Sequence, residues 1–412
     1  MMSFAKSMIQ QSLNASAFGL RQMVRLMEVS PRDQVDGTDV AASCRHLLAS
    51  LGGTMTSLMG QDEHKHGWLA YRALSTLDQC SNYIGDILPM DQGRVAWWES
   101  KNKLKVFCLF QYTDSILEIP MEGRFSLPDF VDRARELGPF LAPWACEGLG
   151  RCYTRQCWPQ SNEGLMWTET TGPLQADCLA PLHVGMGQTL AERLLRRVSQ
   201  SSGQQPLGDE LQQFIDLCKA NARAPYLKAT IEPLGLIAYH LYPDLIQQIG
   251  QQLQTMEAEL AALFWHGVGR GSYFEAQNLV PLPGSPWRAA RTCCDLAPNE
   301  AARINALAGL IWALTLVNLE KPEVLAFFLD HNQERLQNGE AFRNGVTSAI
   351  LLWQDCAPGD PVLKRFLQFS PTAGSAPTWQ AMVRQPCLQA LQSDYPILKQ
   401  EHRLCDVFHY PL

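Results

Sequence analysis

A chain of 412 residues with a hydrophobic fraction of 46% can bury a substantial core and is too apolar to remain disordered. Its net charge of −7, with Lys and Arg dispersed among acidic residues, provides no basic stripe, so nucleic acid is not an expected partner. The thirteen cysteines are odd in number and scattered through helical patterns without any C-x-x-C, so they read as reduced thiols of a cytoplasmic protein.

The opening stretch, MMSFAKSMIQQSLNASAFGLRQMVRLMEV, lacks the compact apolar core of a secretory signal, because Gln10, Gln11, Ser12 and Asn14 interrupt it; it reads as an amphipathic helix. QDEHKHGW follows, with Asp62, Glu63, His64 and His66. These residue types bind metals, but adjacent charges at this point also suit a solvated first helical turn. KLKVFCLFQYTDSILEI, Lys103 to Ile119, is rich in β-branched and aromatic residues and predicts a small β-hairpin. Residues 1–125 are therefore read as an N-terminal helical region carrying that hairpin, and 126–412 as a helical-repeat domain. Within the latter, SLPDFVDRARELGPFLAPW and GDELQQFIDLCKANA repeat Leu, Phe and Ile at three- and four-residue steps, and Ser126, Leu127, Pro128 and Asp129 mark a helix start. Short Pro- and Gly-rich breaks fall at Ser199 to Gly208, Pro281 to Pro286, Ala357 to Pro361 and Ser370 to Pro377. The strongest apolar run, Ile304 to Leu319, is short and interrupted by Asn305, Thr315 and Asn318, so no membrane span is expected. Near the end, HRLCDVFH sets His402, Cys405 and His409 on one helical face. That spacing suits a soft metal if a fourth ligand joins, or simply a docking face.

A glycine-centred pattern runs through the second region. CEGLGRCYTRQCW carries it at Gly148, HVGMGQTLAERLL at Gly185 and FWHGVGRGSYF at Gly267; looser versions are PLGLIAYHL at Gly235, LAGLIWALTLV at Gly309 and RNGVTSAILLW at Gly345, with an earlier unit possible at Gly67. Successive glycines lie 32–50 residues apart, the length of a two-helix repeat. Units of that size bury their apolar faces only by stacking, so the predicted fold is mainly α, an α-solenoid or curved helical array. Each interior glycine costs a helix about 1 kcal/mol relative to alanine. Close packing between helices compensates that cost more simply than a ligand does.

The strong units also place polar groups at matched positions: Glu147 and His266 before the first glycine, Arg151, Gln188 and Arg270 after the second, and His183 beside the same feature. If the motifs face one concavity, Glu147, His183, His266 and Arg270 are the candidate catalytic set, able to move protons or hold an acidic group. Arg151 with Trp144, Tyr153, Trp265, Tyr273 and Phe274 would line the substrate. Read plainly, Glu147 and Arg151 are a helical four-residue ion pair and the histidines are satisfied between helices. No G-x-S-x-G elbow or phosphate-binding loop occurs, and the G-x-G segments lack the preceding strand of a dinucleotide fold, so no cofactor is expected.

CEGLGRCYT, LHVGMGQTLAERLL and FWHGVGRGSYF, followed by NGEAFRNGVTSAILLWQDCAPGDP, resemble a bacterial family of unassigned activity encoded beside enediyne polyketide synthases. The resemblance covers about Phe130 to Pro361 and rests on Glu147, Gly148, His183, Gly185, Gly187, Gly267, Gly269, Arg270 and Phe274. It implies secondary-metabolite biosynthesis: binding, and conversion by a cyclase, isomerase or hydrolase step, of an apolar polyene or polyketide intermediate. The alternative is a non-enzymatic helical scaffold for a polyketide synthase or carrier protein.

Overall fold

The computed structural model describes residues 91–120, 125–158, 163–200, 206–275, 285–332, 339–372 and 374–410. Gly67 and the set Asp62, Glu63, His64 and His66 lie outside the described residues. The chain divides into two compact units, one of residues 1–108 with 274–285 and one of 109–273 with 286–412.

The described residues are mainly helical and contain no strand. The hairpin expected over 103–119 is therefore replaced by helix, α1 (Asp91–Gln111) followed by the single turn Thr113–Ile116. The reason lies in periodicity. Trp97, Leu104 and Cys108 recur at helical steps and are buried, and Lys103 pairs with Glu99 at 2.5 Å across one turn. β-branched content was the weaker signal because spacing, not composition, decides which face is buried.

The second unit continues through α2 (Leu127–Glu136), α3 (Ala142–Cys157), α4 (Ala176–Gln200), α5 (Leu207–Asn221), α6 (Leu227–Ile231), α7 (Pro233–Leu241), α8 (Ile246–Met256), α9 (Ala258–Tyr273), α10 (Ser285–Leu296), α11 (Glu300–Val317), α12 (Pro322–Asn332), α13 (Glu340–Cys356) and α14 (Pro361–Gln368). α2 starts where Ser126-Leu127-Pro128 predicts, with Pro128 in its first turn, though the Ser126 side chain makes no cap bond. Asn299 caps α11 by accepting from the Ala302 N–H at 2.9 Å. Beyond α14, residues 376–400 alternate α and π turns, and a 3₁₀ turn, Leu404–Phe408, ends the described elements.

Helices α3, α4, α7, α9, α11 and α13 form a continuous row, each packed on the next, and α13 also touches α4, so the row bends back on itself. Glycine makes this row possible. A Cβ on Gly150 would overlap the Leu182 carbonyl, and one on Gly185 the Glu147 carbonyl. Gly235 faces the Phe264 carbonyl while Gly267 faces that of Glu232; Gly269 faces Ala306 while Gly309 faces His266. At three of the row's interfaces, α3–α4, α7–α9 and α9–α11, each glycine meets the carbonyl of the residue three positions before the opposing glycine. The missing side chain lets backbones touch and aims a Cα–H at a carbonyl oxygen, a weak bond worth about 0.5–1 kcal/mol. Gly187 makes the same approach to the Thr230 carbonyl and joins α4 to α6.

The core helix α11 is long and apolar enough by composition to cross a membrane, but 78% of it is buried inside the fold, as in the centre of a globular array. Cys108, Cys293 and Cys405 form no disulfide, and burial raises each to about 12, so these thiols stay protonated and pack as small apolar groups.

Candidate functional site

Three of the expected residues come together where α3, α7 and α9 meet. Arg270, in the last turn of α9, forms a close ion pair with Glu147 of α3 through Nη2 and a second with Glu232 through Nη1 at 3.1 Å. His266, one turn earlier on α9, donates from Nδ1 to Glu232 Oε1 at 3.0 Å. Gln188 of α4 donates from Nε2 to Glu147 Oε1 at 2.5 Å. All five side chains are buried. Trp312 of α11 roofs the set, its ring 5.3 Å from the Arg270 guanidinium carbon and 5.9 Å from the His266 ring, and Phe408 stands edge-on to His266 at 6.1 Å.

The array follows from the glycine row. Glu147, Glu232 and His266 each precede an interface glycine by three residues, Gly150, Gly235 and Gly269 respectively, and the carbonyl of each faces a glycine of the next helix. Their backbones are therefore fixed at the helix crossings, and their side chains meet there. Glu232 adds a local device: it sits between α6 and α7, and Pro233 begins the second helix without an N–H to continue the first.

Electrostatics separates the two carboxylates. Burial raises Glu147 above the ordinary carboxylate range, and the Glu232 charge adds to this; Arg270 and Gln188 only partly offset it. Glu232 is buried too, but Arg270 and His266 outweigh that and hold it below the ordinary range. Burial alone would lower Arg270, whereas the two carboxylates raise it. With neutral His266 the set carries one excess negative charge, which a proton on Glu147 removes. A carboxylate only accepts, so the Nδ1–Glu232 bond fixes the tautomer with its proton on Nδ1. In the neutral ring Nε2 is then the nitrogen without a proton, and it is buried and without a hydrogen-bond partner among the described residues; Trp312 Nε1, Arg270 Nε and Gln188 Oε1 share that condition. A carboxylate-oriented imidazole with a free Nε2 is the arrangement from which general bases are built.

The other expected residues lie elsewhere. His183 does not join Glu147, His266 and Arg270: its Nδ1 bonds to the Leu179 carbonyl at 2.7 Å, its Nε2 accepts from the Arg223 N–H at 3.0 Å, and Tyr226 stacks on it at 4.8 Å. It is the satisfied interhelical histidine, and burial drives its pKa down to about 3. An unfolded imidazole binds its proton far more readily, so His183 contributes stability that is complete above its ordinary pKa and lost as pH falls toward 3. Its ring signals in an NMR titration are expected to stay those of the neutral tautomer at pH 5; an imidazolium shift there would refute this assignment.

Arg151 faces away from the network, bonding Gln111 at 3.4 Å, pairing with Glu192 at 3.6 Å and covering Phe110. Trp144 is buried, Tyr153 packs on Phe125, and Trp265 packs on Phe264 and into the gap left by Gly250. The Tyr273 hydroxyl accepts from Asn318 at 2.8 Å, and Phe274 is buried just past α9. None of these lines the His266 site. Among the described residues no group of His, Cys, Asp and Glu is arranged to hold a metal. Cys405 is buried, His402 adopts φ 58°, and His409 turns to Lys228 and Glu259, so HRLCDVFH serves as a docking turn.

Glu232, Trp312 and Phe408 are members that the sequence reading did not name. For Glu232 a usable signal existed, since it stands in the same relation to Gly235 as Glu147 does to Gly150. The fold and site define a class: an all-α helical array with a buried acid–base network. Compared with family models, with curated proteins and with solved structures, the chain matches none.

Proposed function

We propose that this protein binds an apolar polyketide- or polyene-type intermediate of secondary metabolism and moves a proton on it at His266, as an isomerase or cyclase would. The observation that supports this reading is the Glu232–His266 dyad, whose Nε2 is buried, oriented and unpartnered. Glu232 holds the tautomer, Arg270 holds Glu232, and Glu147, raised above the ordinary range, is the companion acid. The secondary-metabolite context rests on the motif resemblance.

The test is to purify the chain from a host expressing neighbouring biosynthetic genes and identify the retained compound by mass spectrometry. His266→Gln is expected to retain an unconverted compound, with conversion reduced about a hundredfold or more, the usual contribution of a general base. Identical products from wild type and His266→Gln would sink the acid–base role. A second reading, a scaffold for a synthase or carrier protein, is favoured by the consumption of the glycine motifs in helix packing. Co-purification of such a partner with no small molecule bound would support it.

A further inference from the structure

A cleft of about 610 Å³ opens within the second unit, bounded by the C-terminal part of α5, by α6, by the α8–α9 junction and by the turn 402–409. Its volume is in the range of small-molecule sites. Ile231, Leu260 and Leu263 form its apolar side. Lys228 stands at the edge of that side, one turn before Ile231 on α6, with Nζ 2.5 Å from Asp406 and 2.7 Å from Glu259.

The two carboxylates on Lys228 are unequal. Asp406 is 9% exposed and is also held by Arg403 Nε at 2.9 Å, so it is fixed. Glu259 is 42% exposed on the first turn of α9 and has one further bond, to His409 at 3.3 Å. An ion pair that exposed is screened by solvent and contributes little, so another carboxylate can replace Glu259 at little cost. The replacement brings a charge to the rim while its body lies on apolar surface.

We propose that this cleft binds an amphipathic monocarboxylate, a long-chain or polyketide acid whose carboxylate takes the place of Glu259 on Lys228 and whose chain lies against Ile231, Leu260 and Leu263. None of Glu147, Glu232, His266 and Arg270 lines the cleft, so it is a binding surface separate from the acid–base network. The inference names the ligand class for the proposed function, but binding itself does not require chemistry at His266.

Titration calorimetry on the full chain with dodecanoate and dodecanol tests it. Dodecanoate is expected to bind severalfold more tightly than the alcohol, because it exchanges the exposed, weakly held Glu259 carboxylate on Lys228 for one seated in the cleft, whereas the alcohol brings no charge to Lys228. Lys228→Met should abolish that preference, Glu259→Gln should tighten dodecanoate severalfold, and Leu263→Trp should weaken both ligands by filling the floor. Equal binding of acid and alcohol by wild type, an acid preference that survives in Lys228→Met, or no binding of either ligand overturns the proposal. His266→Gln should bind dodecanoate like wild type. If it does while converting its retained compound normally, the acid–base reading fails and the binding site stands.

Discussion

Replacing Gly269 with alanine is expected to destabilise the second unit by about 3 kcal/mol or more, a large part of the stability of an ordinary domain. The added methyl would run into the carbonyl oxygen, carbonyl carbon and Cα of Ala306. No rotamer relieves a backbone clash, so α9 and α11 must separate, and with them the crossing that holds His266 opposite Gly309. Gly374→Ala is the matched control, because nothing lies within 4 Å of its Cβ position. It should be neutral or slightly stabilising, through loss of unfolded-chain entropy. Urea unfolding of both variants decides the matter: a Gly269→Ala midpoint equal to that of Gly374→Ala would remove the case for backbone contact in the row.

Arg270→Met should have the second large effect, about 3–5 kcal/mol at neutral pH, because it strands two buried carboxylates without their cation. The pH dependence gives the mechanism. In the wild type Glu232, held low, contributes stability that is present above the ordinary carboxylate pKa and lost as pH falls through its depressed value. Glu147, held high, acts oppositely. The fold keeps its proton after the unfolded chain has released it, so its contribution declines as pH rises from the ordinary range through the raised value. Without Arg270 both carboxylates are driven toward the protonated form, so the penalty should shrink as pH drops from 7 toward 5. The triple variant Arg270→Met, Glu147→Gln, Glu232→Gln should recover much of the loss at pH 7, since no buried charge remains. A penalty independent of pH would mean that Arg270 acts by packing alone.

Much of the row was legible because glycine pairs are rare inside helices and their spacing survives in sequence. CEGLG, HVGMG and HGVGRG each became a helix crossing at the position their glycines marked. What could not be read was the reciprocity, because it depends on which carbonyl of the next helix arrives opposite. Thus Glu147, His266 and Arg270 were found by proximity to the motif, while His183, two residues before its glycine, turned to Arg223 and Tyr226 instead. Glu232 was hidden by the plain look of TIEPLG, although its offset from Gly235 repeats that of Glu147 from Gly150. Phe408 and Asp406 reach their partners across long sequence separations, 178 residues for the Lys228–Asp406 bond, and no local pattern announces such a contact.

The same difference in separation governs the order of assembly. The three reciprocal glycine crossings join glycines 35, 32 and 40 residues apart, so these crossings can close as the chain is made, each loop costing little entropy. The turn Leu404–Phe408 is different: it is synthesised after the whole row and docks on helices formed long before. During that interval the His266 imidazole and the Trp312 ring lack the Phe408 edge that packs on both in the finished fold, so this corner of the network is the last to be completed.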